Sequence, residues 1–182
     1  DATGGGFPPT QSCVYGKFTA TGLQKVAISD EAALASADWD IAFRRFVIRL
    51  NAGSSGPSCV GAAVTPSGTS YDTFAGVPSG ATWASDDFEG PPPTCTFKDD
   101  GSGLMTSPST ALANAAASFY AYTGCVSMTG RVFVVRTREG RHLKLLVTTY
   151  YQTEAGQLSC NTAGSSGGAL GGTIRVRWSW LD

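Results

Sequence analysis

The chain has 182 residues, 42% of them hydrophobic, enough to bury one core of ordinary size. Its formal charge of −1 removes any global field for nucleic acid or an anionic membrane. No apolar run approaches bilayer-spanning length, and 23 Gly with only 15% charged residues point to loop-rich β structure rather than a helical bundle. Residues Asp1 to Ser12 are rich in Gly and Pro and lack periodicity, so they read as a flexible or extended arm, followed by a single domain over 13–182. Cys13 to Thr19 and Gln24 to Ile28 read as short strands about Thr21-Gly22. Ser29-Asp30-Glu31 opens an Ala-rich turn with Asp30 as its N-cap.

The run from Trp39 to Gly56 is the most informative stretch. Trp39, Ile41 and Phe43 occupy odd positions, while Phe46, Ile48 and Leu50 occupy even ones. Strand side chains repeat every two residues, so this phase change predicts one long strand with an extra residue near Arg44-Arg45, a β-bulge or a crossing between sheets. From Ser54 to Gly103 the chain reads as loop with short apolar pieces, and Pro91-Pro92-Pro93 suits a rim or an edge. Ser107-Pro108 opens the one predicted helix, with Leu112, Ala116, Phe119 and Tyr120 on one face and Gly124 past its end. Arg131 to Thr137 and Arg141 to Tyr151 flank Glu139-Gly140, a hairpin signal, and Leu143, Leu145 and Val147 point one way. Thr173 to Leu181 alternates strictly, with Ile174, Val176, Trp178 and Trp180 inward and Arg175 and Arg177 outward. The fold class is all-β: one domain of antiparallel sheets with long loops and one short helix.

Five cysteines, Cys13, Cys59, Cys95, Cys125 and Cys160, form no CxxC or CxxCH, which removes zinc-ribbon, thioredoxin-like and c-type haem readings. Their wide spacing favours an oxidising compartment and two disulfides. Cys59–Cys95 and Cys125–Cys160 are the favoured pairs, with other connectivities open and Cys13 as the odd thiol.

The blocks WDIAFRRFVIRLNAGSSG and VFVVRTREGRHLKLLVTTYY, with the closing TIRVRW strand, resemble the HmuY-type haem-binding proteins. The resemblance spans residues 13–181 in order, and its specific part lies in those blocks. It implies an all-β haemophore, secreted or lipid-anchored at a bacterial outer surface and used in iron acquisition. In such proteins two side chains, His or Met according to the member, grip the iron from the region between the blocks. The lone His142 lies inside the second block, which rules out a bis-His site within one chain. Met105 and Met128, the only two methionines, both fall in that region and are the candidate iron ligands for a non-covalent haem b. Tyr122 and Trp83, among the aromatics that occupy or border the loop-rich middle, are candidates to line the porphyrin. Arg44, Arg45, Arg131, Arg136 and Arg141 are candidates for its propionates.

Rival readings come from the same residues. With no haem, the fold serves as a secreted structural, adhesion or surface-assembly module, with the Asp1–Ser12 arm adding to a neighbour's sheet edge. A glycosidase using Asp86 and Asp99 has no pattern tying the two acids together. Lys98 to Gly103 lacks the acids of a calcium loop, and Gly164 to Gly168 fits GxSxG without the strand and helix that a nucleophile elbow requires. The chain therefore reads as non-enzymatic.

Overall fold

The computed structural model of the chain describes residues 12–84, 86 and 118–181. Among these residues, two four-stranded antiparallel sheets and a two-stranded ribbon make up the β structure. The first sheet runs in the order β2-β1-β3-β4, from β1 (Val14–Thr19), β2 (Gly22–Val26), β3 (Ile41–Arg44) and β4 (Val47–Leu50). The second runs β10-β9-β8-β5, from β5 (Gly61–Val64), β8 (Val132–Arg136), β9 (His142–Tyr151) and β10 (Gly171–Trp180). The ribbon pairs β6 (Tyr120–Tyr122) with β7 (Val126–Met128). The described residues also form two helices, α1 (Asp30–Ala33) and α2 (Glu154–Ala163), with a 3-10 turn at Gly53–Ser55.

The phase change in the long run is a hairpin and not a bulge. Arg44 pairs with Val47, so Arg45 and Phe46 form a two-residue turn between β3 and β4. Arg45 takes φ 52, alone among described non-glycine residues, and supplies the positive φ that Gly or Asn usually provides at such a turn. The strands run antiparallel and present Ile41, Ile48 and Leu50 to one core with Phe133, Leu143, Leu145 and Val147 of the second sheet. Each such fully buried side chain contributes about 1.5–3 kcal/mol. Trp39 lies before β3 and joins a second cluster with Cys13, Tyr15, Ala33 and Ala42, under α1. Its Nε1 donates to the Ala33 carbonyl at 3.0 Å.

The N-cap of α1 is Ser29 and not Asp30: the Ser29 hydroxyl accepts from the Ala32 N–H. Asp30 is drawn across to β1, where its carboxylate accepts from the Cys13 N–H and the Tyr15 hydroxyl. That hydroxyl also accepts from the guanidinium of Arg49, which is only 4% exposed on β4. Burial raises the Tyr15 phenol and the Cys13 thiol above their ordinary values, with Arg49 opposing both shifts.

The expected hairpin at Glu139-Gly140 forms, with Arg136 opposite His142. In β10 the Trp178 and Trp180 rings pack against the main core, and bulges near Arg175 shift its register on β9. Arg175 and Arg177 are exposed and pair with Glu154 and Asp72. The helix predicted from Ser107 falls mostly outside the described residues, and where its end was expected Tyr120 begins a strand. The arm 1–11, Met105 and Cys95 also lie outside the described residues. Among the described residues, no helix is long and apolar enough to cross a membrane.

Candidate functional site

The β6–β7 ribbon is too short to stand alone in water, and its position depends on what grips it. A disulfide joins Cys125, just before β7, to Cys160 of α2. Gln157 and Asn161, one helical turn apart on α2, face the ribbon backbone. Gln157 Nε2 donates to the Val126 carbonyl at 3.0 Å, and Asn161 Oδ1 accepts from the Met128 N–H at 2.9 Å. Gln157 Oε1 accepts from the Tyr150 N–H at 2.7 Å, which ties the same helix to β9. The Tyr151 hydroxyl accepts from the Val126 N–H at 2.9 Å. These four bonds and the covalent link fix the ribbon against α2 and the far end of β9.

Register then sets which side chains share a face. Tyr120 stands opposite Met128 and Tyr122 opposite Val126, so all four project to one side, with Ala121 and Ser127 on the other. Tyr120 and Val126 are buried and form the floor, Tyr120 lying 6.0 Å from the Phe46 ring of the β3–β4 turn. Met128 is half-buried against the core, and Tyr122 is 52% exposed. Behind them Tyr150 packs edge-on to Tyr151. Burial raises the Tyr150 phenol, and hydrogen bonding to Arg45 works against that rise.

Met128 and Tyr122 are thus brought together, and Trp83 is not. The Trp83 ring lies 5.4 Å from His142 and under the Arg136 guanidinium at 4.8 Å. Arg136 and His142 mark one end of the β8–β9 pair, whereas the ribbon joins the other end, at Val132. The four steps of β8 between them amount to roughly 13 Å. Trp83 packs over the His142 end of the sheet. Asp86, one of the two acids considered for glycoside chemistry, is 1% exposed and accepts from the Leu50 N–H, a structural bond to β4. Ser166 lies in the turn after α2 and has no strand before it. Cys59 is an exposed thiol, and Cys95, its expected partner, lies outside the described residues. Among the described residues, no three His, Cys, Asp or Glu side chains gather as a metal cluster.

Among the described residues, two hollows flank the sheets. One, of about 230 Å³, is bounded by Ser58, Cys59, Trp83 and Arg136. The other, of about 310 Å³, lies between the turn at Pro66–Thr69 and the segment Thr129–Val132 that follows Met128. Ligand pockets run from about 300 to 1,000 Å³, so the smaller hollow falls below that range and the larger sits at its lower limit. Among the described residues, the exposed Tyr122 and the half-buried Met128 place an aromatic ring and a thioether on one side of the ribbon.

Antiparallel sheets with a disulfide-anchored ribbon define an all-β class of protein. Comparison with known proteins sharpens this: the sequence matches the HmuY protein family over residues 11–162, and the chain belongs to that family. Among solved structures it is similar to a candidate lipoprotein of Bacteroides fragilis at 10% identity, covering 92% of this chain and 83% of that one, TM-score 0.51. The apo HmuY analogue of Tannerella forsythia gives 16% identity, 94% and 81% coverage and TM-score 0.50. An HmuY-like candidate haem-binding protein of Bacteroides vulgatus gives 14%, 92% and 84%, and TM-score 0.49. At these identities the structural likeness speaks to the fold. No curated protein matches the chain.

Proposed function

We propose that the chain is an extracytoplasmic, non-enzymatic haem-binding protein of the haemophore type. The haem b is held non-covalently against the Met128–Tyr122 face of the β6–β7 ribbon. Met128 and Met105 would hold the iron through their thioethers, and Tyr122 would offer its ring to the porphyrin. When bound, the iron supplies coordination and a redox couple that paired thioethers bias toward the ferrous state. The observation that carries this reading is the register of a family member's ribbon, which sets a thioether and an exposed phenol on one face. The Cys125–Cys160 link supports an oxidising location outside the cytoplasm. Titration of ferrous and ferric haem into the purified protein tests it: a Soret shift is expected, strongest in the ferrous state, and altered in a Met105→Ala, Met128→Ala double variant. No shift in either state removes the proposal.

A second reading, a surface-assembly module with the same fold and no haem, draws on β10. This ten-residue strand lies at the edge of its sheet, and among the described residues no strand pairs with its outer side. Such an edge accepts a strand from a neighbour. Concentration-dependent oligomers that vanish on deleting Asp1–Ser12 favour this reading, and a strict monomer counts against it.

A further inference from the structure

The end of β8 opposite the ribbon carries a charge that the fold does not neutralise. Arg136 is half-buried there, its guanidinium lying 4.8 Å over the Trp83 ring. Stacking occupies the face of a guanidinium and leaves its in-plane N–H donors free to bond. Among the described residues, those donors of Arg136 have no hydrogen-bond or ion-pair partner. Arg175 and Arg177, by contrast, pair with acids, and Arg131 donates to the Thr65 carbonyl.

Arg136 and Trp83 border the hollow of about 230 Å³, and Ser58 lines it with them. Ser58 is 9% exposed, and its buried hydroxyl has no hydrogen-bond partner among the described residues. A buried polar group left unpaired is rare in a folded chain and calls for an explanation. Ala52, Val60 and Ala84 add apolar wall, and no acidic side chain among the described residues lines the hollow. Backbone bonds hold these walls in place. Ala62 and Ala84 exchange N–H donors at 3.0 and 2.9 Å, which sets the neighbouring Trp83. The Val60 N–H donates to the Asn51 carbonyl and the Ser58 N–H to Asn51 Oδ1, each at 3.3 Å. A cation and a hydroxyl, both lacking partners beside an apolar wall, suit a small acid with a flat hydrocarbon body.

We propose that this hollow binds a small aromatic carboxylate. The acid group accepts from the Arg136 guanidinium and the Ser58 hydroxyl, and the ring lies against Val60 and Trp83. A volume below the usual range for ligand pockets limits the occupant to a small one. The length of β8, roughly 13 Å, separates this site from the Met128–Tyr122 face. The proposal does not depend on the haem reading.

Calorimetric titration with benzoate and with benzamide, its neutral isostere, tests it. The wild-type protein should bind benzoate about tenfold more tightly than benzamide, the scale of one charge-assisted hydrogen bond. Arg136→Gln should abolish that preference. Ser58→Ala separates binding from folding. It should weaken benzoate about fivefold, while the urea midpoint of the ligand-free protein should not fall, because no hydrogen bond of that hydroxyl is lost. Equal affinity for benzoate and benzamide, no binding of either, or a preference that survives Arg136→Gln overturns the proposal. A Ser58→Ala variant that binds benzoate as the wild type does, or unfolds at lower urea, overturns the role of that hydroxyl and the proposal with it. So does a haem Soret shift present in the wild type and lost in Arg136→Gln, which would assign the guanidinium to the haem face. A wild type that takes up benzoate in preference to benzamide and no haem upholds this proposal and removes the haem reading alone.

Discussion

Breaking the Cys125–Cys160 link offers a prediction whose size can be worked from the structure. The bond closes a loop of 35 residues, from the start of β7 to the last half of α2. The loop-entropy relation assigns that closure about 13 cal/mol/K, or about 4 kcal/mol at 25 °C. With a urea slope of about 2 kcal/mol/M for a domain of this size, reduction should lower the unfolding midpoint by about 2 M. Comparing oxidised and reduced wild-type protein keeps the packing atoms constant. A Cys125→Ala, Cys160→Ala variant should match the reduced protein, with a further loss for the vacated sulfur volume at two buried positions, and should not respond to reductant. A midpoint change below about 0.5 M would refute the reasoning. It would mean that Gln157, Asn161 and Tyr151 hold the ribbon without covalent help.

Three further outcomes follow from packing and burial. Gly171→Ala places a methyl 2.5 Å from the Tyr150 ring, so that ring or β10 must shift. A loss of about 1–3 kcal/mol in thermal unfolding is expected, and a neutral result would show that the ring yields freely. Asp40 is buried and its carboxyl is raised above the ordinary 3.8 by that burial, partly opposed by the Phe18 N–H it accepts. The folded state therefore holds the proton after the unfolded chain has lost it, and stability should fall as pH rises from about 3.8 through the raised value. Asp40→Asn keeps an acceptor for Phe18 and should remove this decline in urea midpoints measured from pH 4 to 7; an unchanged decline assigns it elsewhere. Arg49→Ala strips donors from Tyr15 and from the Ser55 carbonyl in a buried cluster. A loss of about 3 kcal/mol or more is expected, and one under about 1 kcal/mol would show that water replaces the guanidinium.

How much was legible in the sequence depended on which interactions decide each element. The β8–β9 hairpin announced itself because Glu139-Gly140 is a turn signal between alternating strands. The β3–β4 hairpin did not, because the turn pair Arg45 and Phe46 holds no Gly, Asn or Asp, even though Arg45 takes a positive φ. The strand β5, GAAV, buries side chains too small to show a period. Helix α2 hid for a related reason. Its buried positions are Gly156, Gln157 and Cys160, so it packs by close approach, hydrogen bonds and a disulfide rather than by an apolar stripe. The pair Gln157 and Asn161 was a signal in hindsight, two amides spaced for one helical face. Met128 and Tyr122 were identifiable as residue types, but their shared face follows from a ribbon register that no local pattern encodes. Trp83 lies apart from that face, over His142, because the Ala62–Ala84 bridge sets its place and residue type does not.

Methionine methyl signals report on iron coordination directly. The chain holds only Met105 and Met128, so methyl-labelled methionine gives two resonances. On adding ferrous haem, both methyls should move far upfield under the porphyrin ring current while the Soret band shifts. A Met128 methyl that keeps its ligand-free position in the haem-saturated protein would contradict thioether binding on the β6–β7 face.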